Sequence, residues 1–163
     1  MRRSGRLLAV LALLCVAALT AVGVLGWQRH THDVVQQSRT DAVSAARVAA
    51  GDILGYDYRS IEETIKRARS DTTGAFRKEY DETAAELLPQ SKQVKAIVQA
   101  TVGSAAVMSA DRDRVVVLLF VDQATVKQQP GAKTPTTRID QSRVRMTMSR
   151  KDGHWLVSEL VAL

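Results

Sequence analysis

The chain has 163 residues and is 45% hydrophobic, enough for one domain with a buried core plus a short appendage, and this excludes a disordered chain. The net charge of +6 is lopsided: residues 1–30 hold four of the 23 basic side chains and no acid, which leaves 19 basic against 17 acidic side chains in the rest. A remainder so near neutrality excludes nucleic-acid binding as the main activity, because phosphate neutralisation supplies most of that affinity.

The N-terminal stub, residues 1–6, carries Arg2, Arg3 and Arg6, and the 21 residues from Leu7 to Trp27 carry no charge. A helix of about 20 apolar residues crosses a hydrocarbon core, and Trp27 stands where an indole favours the membrane interface. Residues 7–27 are therefore expected to form a single transmembrane helix. The positive-inside bias puts the stub in the cytoplasm and residues 28–163 outside it. A cleaved signal peptide, cut after the small residues Ala21-Val22-Gly23, is the competing expectation. The single cysteine, Cys15, lies inside the apolar run, so the rest of the chain has neither disulfide nor thiolate chemistry.

Beyond the run, Val35, Ala42, Ala46, Ala49, Ile53 and Tyr56 recur at helical spacing and predict a first helix with an alanine-rich packed face. Gly55 and Tyr56-Asp57-Tyr58 end it. Ser60-Ile61-Glu62-Glu63 matches a capping box and predicts a short second helix to about Arg69. After a break and a new cap at Asp71-Thr72-Thr73-Gly74, a third helix puts Phe76, Tyr80, Ala84, Leu87 and Leu88 on one side, and Pro89 is expected to stop it.

From Lys92 onward the pattern is β. Gly103 marks a bulge in the first strand, and Asp111-Arg112-Asp113 is a turn. The run from Arg114 to Val126 reads as a strand buried on both faces for much of its length. Pro130, Gly131 and Pro135 demand a loop. Val144, Met146 and Met148 then alternate with Arg143, Arg145 and Thr147, and an Asp152-Gly153 hairpin turn leads to the last strand. The expected fold class is α+β: three helices, then a four-stranded antiparallel sheet wrapping the first helix.

The phrases AARVAAGDILGYDY, TTGAFRKEY and DGHWLVSEL, in this order, resemble the Mce-associated membrane proteins of actinobacteria. The resemblance implies a cone-shaped, nuclear transport factor 2-like domain behind one transmembrane helix. It also implies a non-enzymatic accessory role in Mce-type lipid transport across the cell envelope, with Mce transporter subunits as partners. It supplies no catalytic residues. Two alternatives stand beside it: an isomerase- or cyclase-like enzyme acting on a hydrophobic small molecule, and a secretion-machine scaffold of similar topology.

Candidate site residues are few. Tyr56 and Asp122 are candidates for lining a pocket, Asp122 as a raised-pKa base within a sheet. Tyr56, Asp57 and Tyr58 are read chiefly as structural, with rings in the core and hydroxyls at the rim. Arg138, Arg143, Arg145 and Arg150 make a basic edge that could face a partner or anionic headgroups, although charges on an edge strand also blunt unwanted pairing. His30 and His32 fall short of the three or four ligands that a metal needs. His154 is expected to be exposed. Neither a cofactor nor a metal is expected, and an oligomer is compatible with the scaffold readings.

Overall fold

A computed structural model describes residues 33–163. The expected stub, the expected transmembrane helix over Leu7–Trp27 with its cleavage alternative, and His30 and His32 all lie outside the described residues. Among the described residues, no helix is long and apolar enough to cross a membrane. Ser38–Leu163 form one compact unit, and the described part of the other, residues 33–37, is helical.

Helix α1 runs through residues 33–54. It is followed by β1 (Tyr56–Asp57), α2 (Ile61–Ser70), α3 (Gly74–Gln93), β2 (Ile97–Ala110), β3 (Arg114–Lys127), β4 (Thr136–Lys151) and β5 (His154–Ala162). The sheet is antiparallel throughout, in the order β1-β2-β3-β4-β5. It therefore has five strands, not the expected four, because Tyr56 and Asp57 pair with Val98 and Ile97. Two residues carry too little periodicity to read as a strand; a β2 backbone alongside them makes them one.

The alanine stripe of α1 does what its spacing predicts. Ala42, Ala46, Ala49 and Ala50 are buried in one cluster with Val115, Val117, Leu119 and Val121 of β3, Val144, Met146 and Met148 of β4, and Val157 of β5. Methyl-sized side chains let the helix backbone come close, and the larger sheet residues fill the space between. Ser38 Oγ donates to the carbonyl of Arg112 at 2.8 Å, and Gln123 Nε2 donates to the carbonyl of Leu54 at 3.3 Å. These bonds tie the helix to the β2–β3 turn and to β3. Bulges at Val102/Ser104 and Val107/Ser109 of β2, and at Ser158 of β5 opposite Thr147/Met148, curl the sheet around the helix. The first confirms the irregularity expected at Gly103.

Several local expectations are corrected. The capping box does not close: Ser60 caps α2 by position, but its side chain makes no capping hydrogen bond. Instead the Ser60 carbonyl accepts from both the amide (3.1 Å) and the hydroxyl (3.3 Å) of Thr64. Thr73, at the N-cap of α3, also makes no side-chain cap bond, and its amide goes to the Val157 carbonyl at 2.9 Å. Pro89 does not stop α3, which continues to Gln93. Proline deprives the carbonyl four residues earlier of its donor; that residue, Ala85, is exposed, so water can serve it. Lastly, β3 is not buried on both faces: Val115, Val117, Leu119 and Val121 are buried, while on the other face Val116 and Leu118 are half-buried and Phe120 and Asp122 are exposed.

Gly55 is required by closeness. A Cβ there would lie 2.7 Å from the Gly51 carbonyl oxygen and 3.2 Å from that of Val98. Gly55→Ala should destabilise the fold by about 1–3 kcal/mol, the usual cost of overpacking against backbone that cannot yield. Ser60→Ala, with no cap bond to lose, should change stability by less than about 0.5 kcal/mol. Urea denaturation midpoints of the two variants check both.

Candidate functional surfaces

The tyrosine-rich stretch is a structural junction. The amide of Tyr58 bonds to the Ala96 carbonyl at 3.0 Å, extending the contact of β1 with β2. Tyr56 and Asp57 are consecutive strand residues, so their side chains point to opposite faces and cannot act as a dyad. Asp57 accepts from the Arg59 amide at 2.9 Å and forms an ion pair with the Arg59 guanidinium. These hydrogen bonds from Arg59 hold the Asp57 carboxyl below its ordinary range. Tyr56 borders a hollow of about 370 Å³ with Leu87, Ser91, Val94, Ala96 and Thr125. Burial, with Asp52 and Asp81 nearby, pushes the hydroxyl of Tyr80 up to about 12, which suits a packed ring and not a proton-transfer group.

Asp122 points outward. It accepts from Gln141 Nε2 at 2.8 Å and borders an outer-face hollow of about 490 Å³ with Gly103, Ser104, Phe120 and Arg143. The core-facing side of β3 is taken by valines and Leu119. A base working in the interior would have to replace one of those side chains.

The four arginines do not form one patch. Alternation along β4 puts Arg143 and Arg145 on the outer face, and Arg138 and Arg150 on the core side near opposite ends of the 16-residue strand. Arg138 pairs with Asp140 at 2.7 Å, and Arg150 lies 6.0 Å over the ring of Trp155. Across the ladder, Arg143 is opposite Phe120 and Arg145 is opposite Leu118. Ala106 and Ser104 of β2 are the partners of Leu118 and Phe120 on the other side. The outer face thus presents a short apolar strip, Leu118 and Phe120, the latter at 43% exposure, bordered by two arginines. Alternation along β3 sets Leu118, Phe120 and Asp122 on one face and Leu119 and Val121 on the other, but it does not say which face the helix covers.

Two further hollows went unseen in the sequence. One, of about 600 Å³, lies at the β4–β5 hairpin and is lined by Asp41, Ala45, Asp71, Arg150, His154 and Trp155. His154 is exposed, as expected, and the indole N–H of Trp155 is buried with no acceptor among the described residues. Burial, reinforced by the charge of Asp52, pushes the Asp71 carboxyl up. The other, of about 690 Å³, is bordered by Lys66, Arg67, Arg69 and Arg77 with Glu63. Arg67 and Arg69 are already paired with Asp52 and Asp81. The first is assembled from three separate stretches, around Asp41, Asp71 and Arg150–Trp155, and the second from two helices, so no short motif announces either hollow. Among the described residues, no group of three or more His, Cys, Asp or Glu is arranged to hold a metal ion.

Asp71 has a checkable pH signature. Its folded-state pKa lies above the ordinary 3.8, so the folded chain binds more protons than the unfolded chain just above that pH. Its contribution is therefore most favourable below 3.8 and is lost as pH rises through the folded value. Asp71→Asn should raise the thermal midpoint at pH 7 and lessen this loss. Midpoints measured from pH 3.5 to 8 test it, and a lower midpoint at pH 7 would refute it.

The chain belongs to the family of uncharacterized proteins like Rv1363c/MT1408, whose model matches residues 5–161. Of its relatives in Mycobacterium tuberculosis, the outer membrane protein Rv1973 is 34% identical over 149 residues, covering 90% of this chain and 89% of that protein. The uncharacterized protein Rv1362c is 31% identical over 155 residues, covering 90% and 68%. Among solved structures, a periplasmic fragment of TraM superposes with a TM-score of 0.60 at 14% identity, covering 77% of this chain and 96% of that one. CagV, a VirB8 homolog of the Helicobacter pylori type IV secretion system, gives 0.57 at 11% identity, covering 73% and 93%. An IcmL-like type IV secretion system protein from Legionella pneumophila gives 0.57 at 14%, covering 75% and 88%. At such identities the likeness is one of fold.

Proposed function

We propose that this member of the Rv1363c/MT1408-like family is a non-enzymatic, membrane-anchored scaffold subunit of an envelope complex, which works through its outer sheet face. The observation that carries this reading is the contrast between the two faces of the sheet. The inner face is filled: Val115, Val117, Leu119, Val121, Met146 and Met148 are each at most 1% exposed. Outside, Phe120 lies open directly opposite Arg143, and half-buried Leu118 stands opposite Arg145. Apolar side chains bordered by cations are what a protein partner can bury.

The fold shared with type IV secretion domains supports a scaffold of that kind, and a relative carrying the name outer membrane protein supports an envelope location. The family match from residue 5 takes in the uncharged run Leu7–Trp27, in keeping with an anchor and a nuclear transport factor 2-like domain outside the cytoplasm. The Mce-type lipid-transport reading rests on three sequence phrases. These fall at Gly55, at the Thr72–Thr73 contact with β5 and at the Asp152-Gly153 turn, so they speak for the fold more than for a cargo.

Two outcomes are expected. Alkaline phosphatase fused after Leu163 should be active and remain with the membrane; an inactive fusion reverses the topology, and a shed, shortened protein indicates cleavage. In a detergent pull-down of the full chain, Phe120→Ser with Arg143→Glu should lose the co-purifying envelope proteins while still unfolding cooperatively. Retention of every partner by that folded variant sinks the outer-face reading.

A further inference from the structure

The sheet has three stretches of strand edge, and two are dealt with locally. The outer edge of β2 is interrupted by two bulges, has Tyr56–Asp57 alongside its start, and gives the Val102 carbonyl to Arg47 at 3.1 Å. The outer edge of β5 receives the loop before α3: Thr72 bridges Val157, and the amide and carbonyl of Val157 bond to Asp71 and Thr73. The third stretch differs. β5 pairs with β4 only over Val144–Lys151, and Leu163 bonds to Arg143, so among the described residues β4 from Thr136 to Ser142 has a neighbour on the β3 side alone. Its register with β3 is unbroken over all 14 pairs, so it is a regular strand with an open side.

We infer that this open edge of β4 is a homodimerisation surface, where two copies of the chain pair antiparallel about a twofold axis through Ile139. Backbone parity supports that centre. The Arg143 carbonyl faces away from β3, since it accepts from the Leu163 amide at 2.9 Å. Strand alternation then turns the N–H and C=O of Thr137, Ile139 and Gln141 to the same open side. Ile139 opposite its symmetry mate exchanges two backbone hydrogen bonds, and Thr137 does the same with Gln141 of the other copy.

The side chains select the same register. With Ile139 at the centre, Arg138 of each copy stands opposite Asp140 of the other. The Arg138–Asp140 pair already present within one chain becomes part of a neutral four-charge cluster. Ile139, at 74% exposure the most open large apolar side chain of the described residues, meets its own copy. Moving the axis to Arg138 puts arginine against arginine, and moving it to Asp140 puts aspartate against aspartate; like charges directly opposite are destabilising. A single-sign edge repels a second copy, but opposite charges flanking an isoleucine make this edge complementary to itself.

The test uses the full chain in detergent, with Cys15→Ser to remove the native thiol. Ile139→Cys should form a disulfide-linked dimer under mild oxidation, because residues of a hydrogen-bonded pair lie about 5.5 Å apart at Cα, within disulfide reach. Thr137→Cys and Gln141→Cys should each stay uncross-linked alone and join when mixed. Without cross-linking, Arg138→Glu should weaken the dimer about tenfold or more by light scattering, and Arg138→Asp with Asp140→Arg should restore it. Ile139→Pro removes only an edge-facing N–H, so it should fold, as checked by circular dichroism, and be monomeric. A monomeric parent chain overturns the proposal. So does a dimer that survives both Ile139→Pro and Arg138→Glu, or cross-linking of Thr137→Cys to itself.

Discussion

Everything in the described domain depends on one close approach. The small side chains of α1, Ala42, Ala46, Ala49 and Ala50, lie flat against the inner face of β3 and β4. A helix with larger residues on that stripe would stand further off, and the curled sheet would no longer close on it. Alanine itself buries little surface, so the stabilisation comes from what the sheet brings. Leu119, Met146, Met148 and the valines are removed from water at roughly 1.5–3 kcal/mol for each larger side chain. The alanines set the distance and the sheet residues fill it.

That arrangement determines where chemistry can occur. With the interior filled by branched and thioether side chains, the polar and charged groups are displaced to three places: the rims at either end of the helix–sheet sandwich, the α2–α3 surface, and the outer face. At the rims they make hydrogen bonds that fasten loops, as Asp57 does with Arg59. On α2 and α3 they form ion pairs such as Arg69–Asp81. Exposed pairs of this kind contribute little to stability. On the outer face, by contrast, Phe120 and Leu118 are backed by no second layer among the described residues, and Arg143 and Arg145 stand opposite them. A domain with this distribution is suited to being held against other proteins.

The edges follow the same logic. A curled sheet that is not closed into a barrel must leave strand edges, and each needs a partner, a bulge or a charge. Here β1 and two bulges serve β2, the Asp71–Thr73 loop serves β5, and the remaining arm of β4 carries one cation and one anion around Ile139.

The sequence by itself determined the element types and most of their order. Helical spacing of alanines in α1, alternation in β4, the bulge at Gly103 and the Asp-Gly turn are local signals, and each element follows from its own residues. At Asp152-Gly153 both residues have positive φ, as a tight hairpin demands. Tertiary structure alone decided the rest, for identifiable reasons. Tyr56–Asp57 became a strand because β2 passes within hydrogen-bonding distance. Ser60 lost its capping role because its backbone, at φ −130° and ψ 26°, departs from the extended conformation that aims an N-cap side chain at the first-turn amides. α3 ran on past Pro89 because one orphaned carbonyl on an exposed residue can be left to water. The outward direction of Asp122 and the separation of the four arginines onto two faces depend on which side of the sheet the helix covers. A strand has two faces and its pattern only alternates; the side that becomes the core is settled by the element that packs against it.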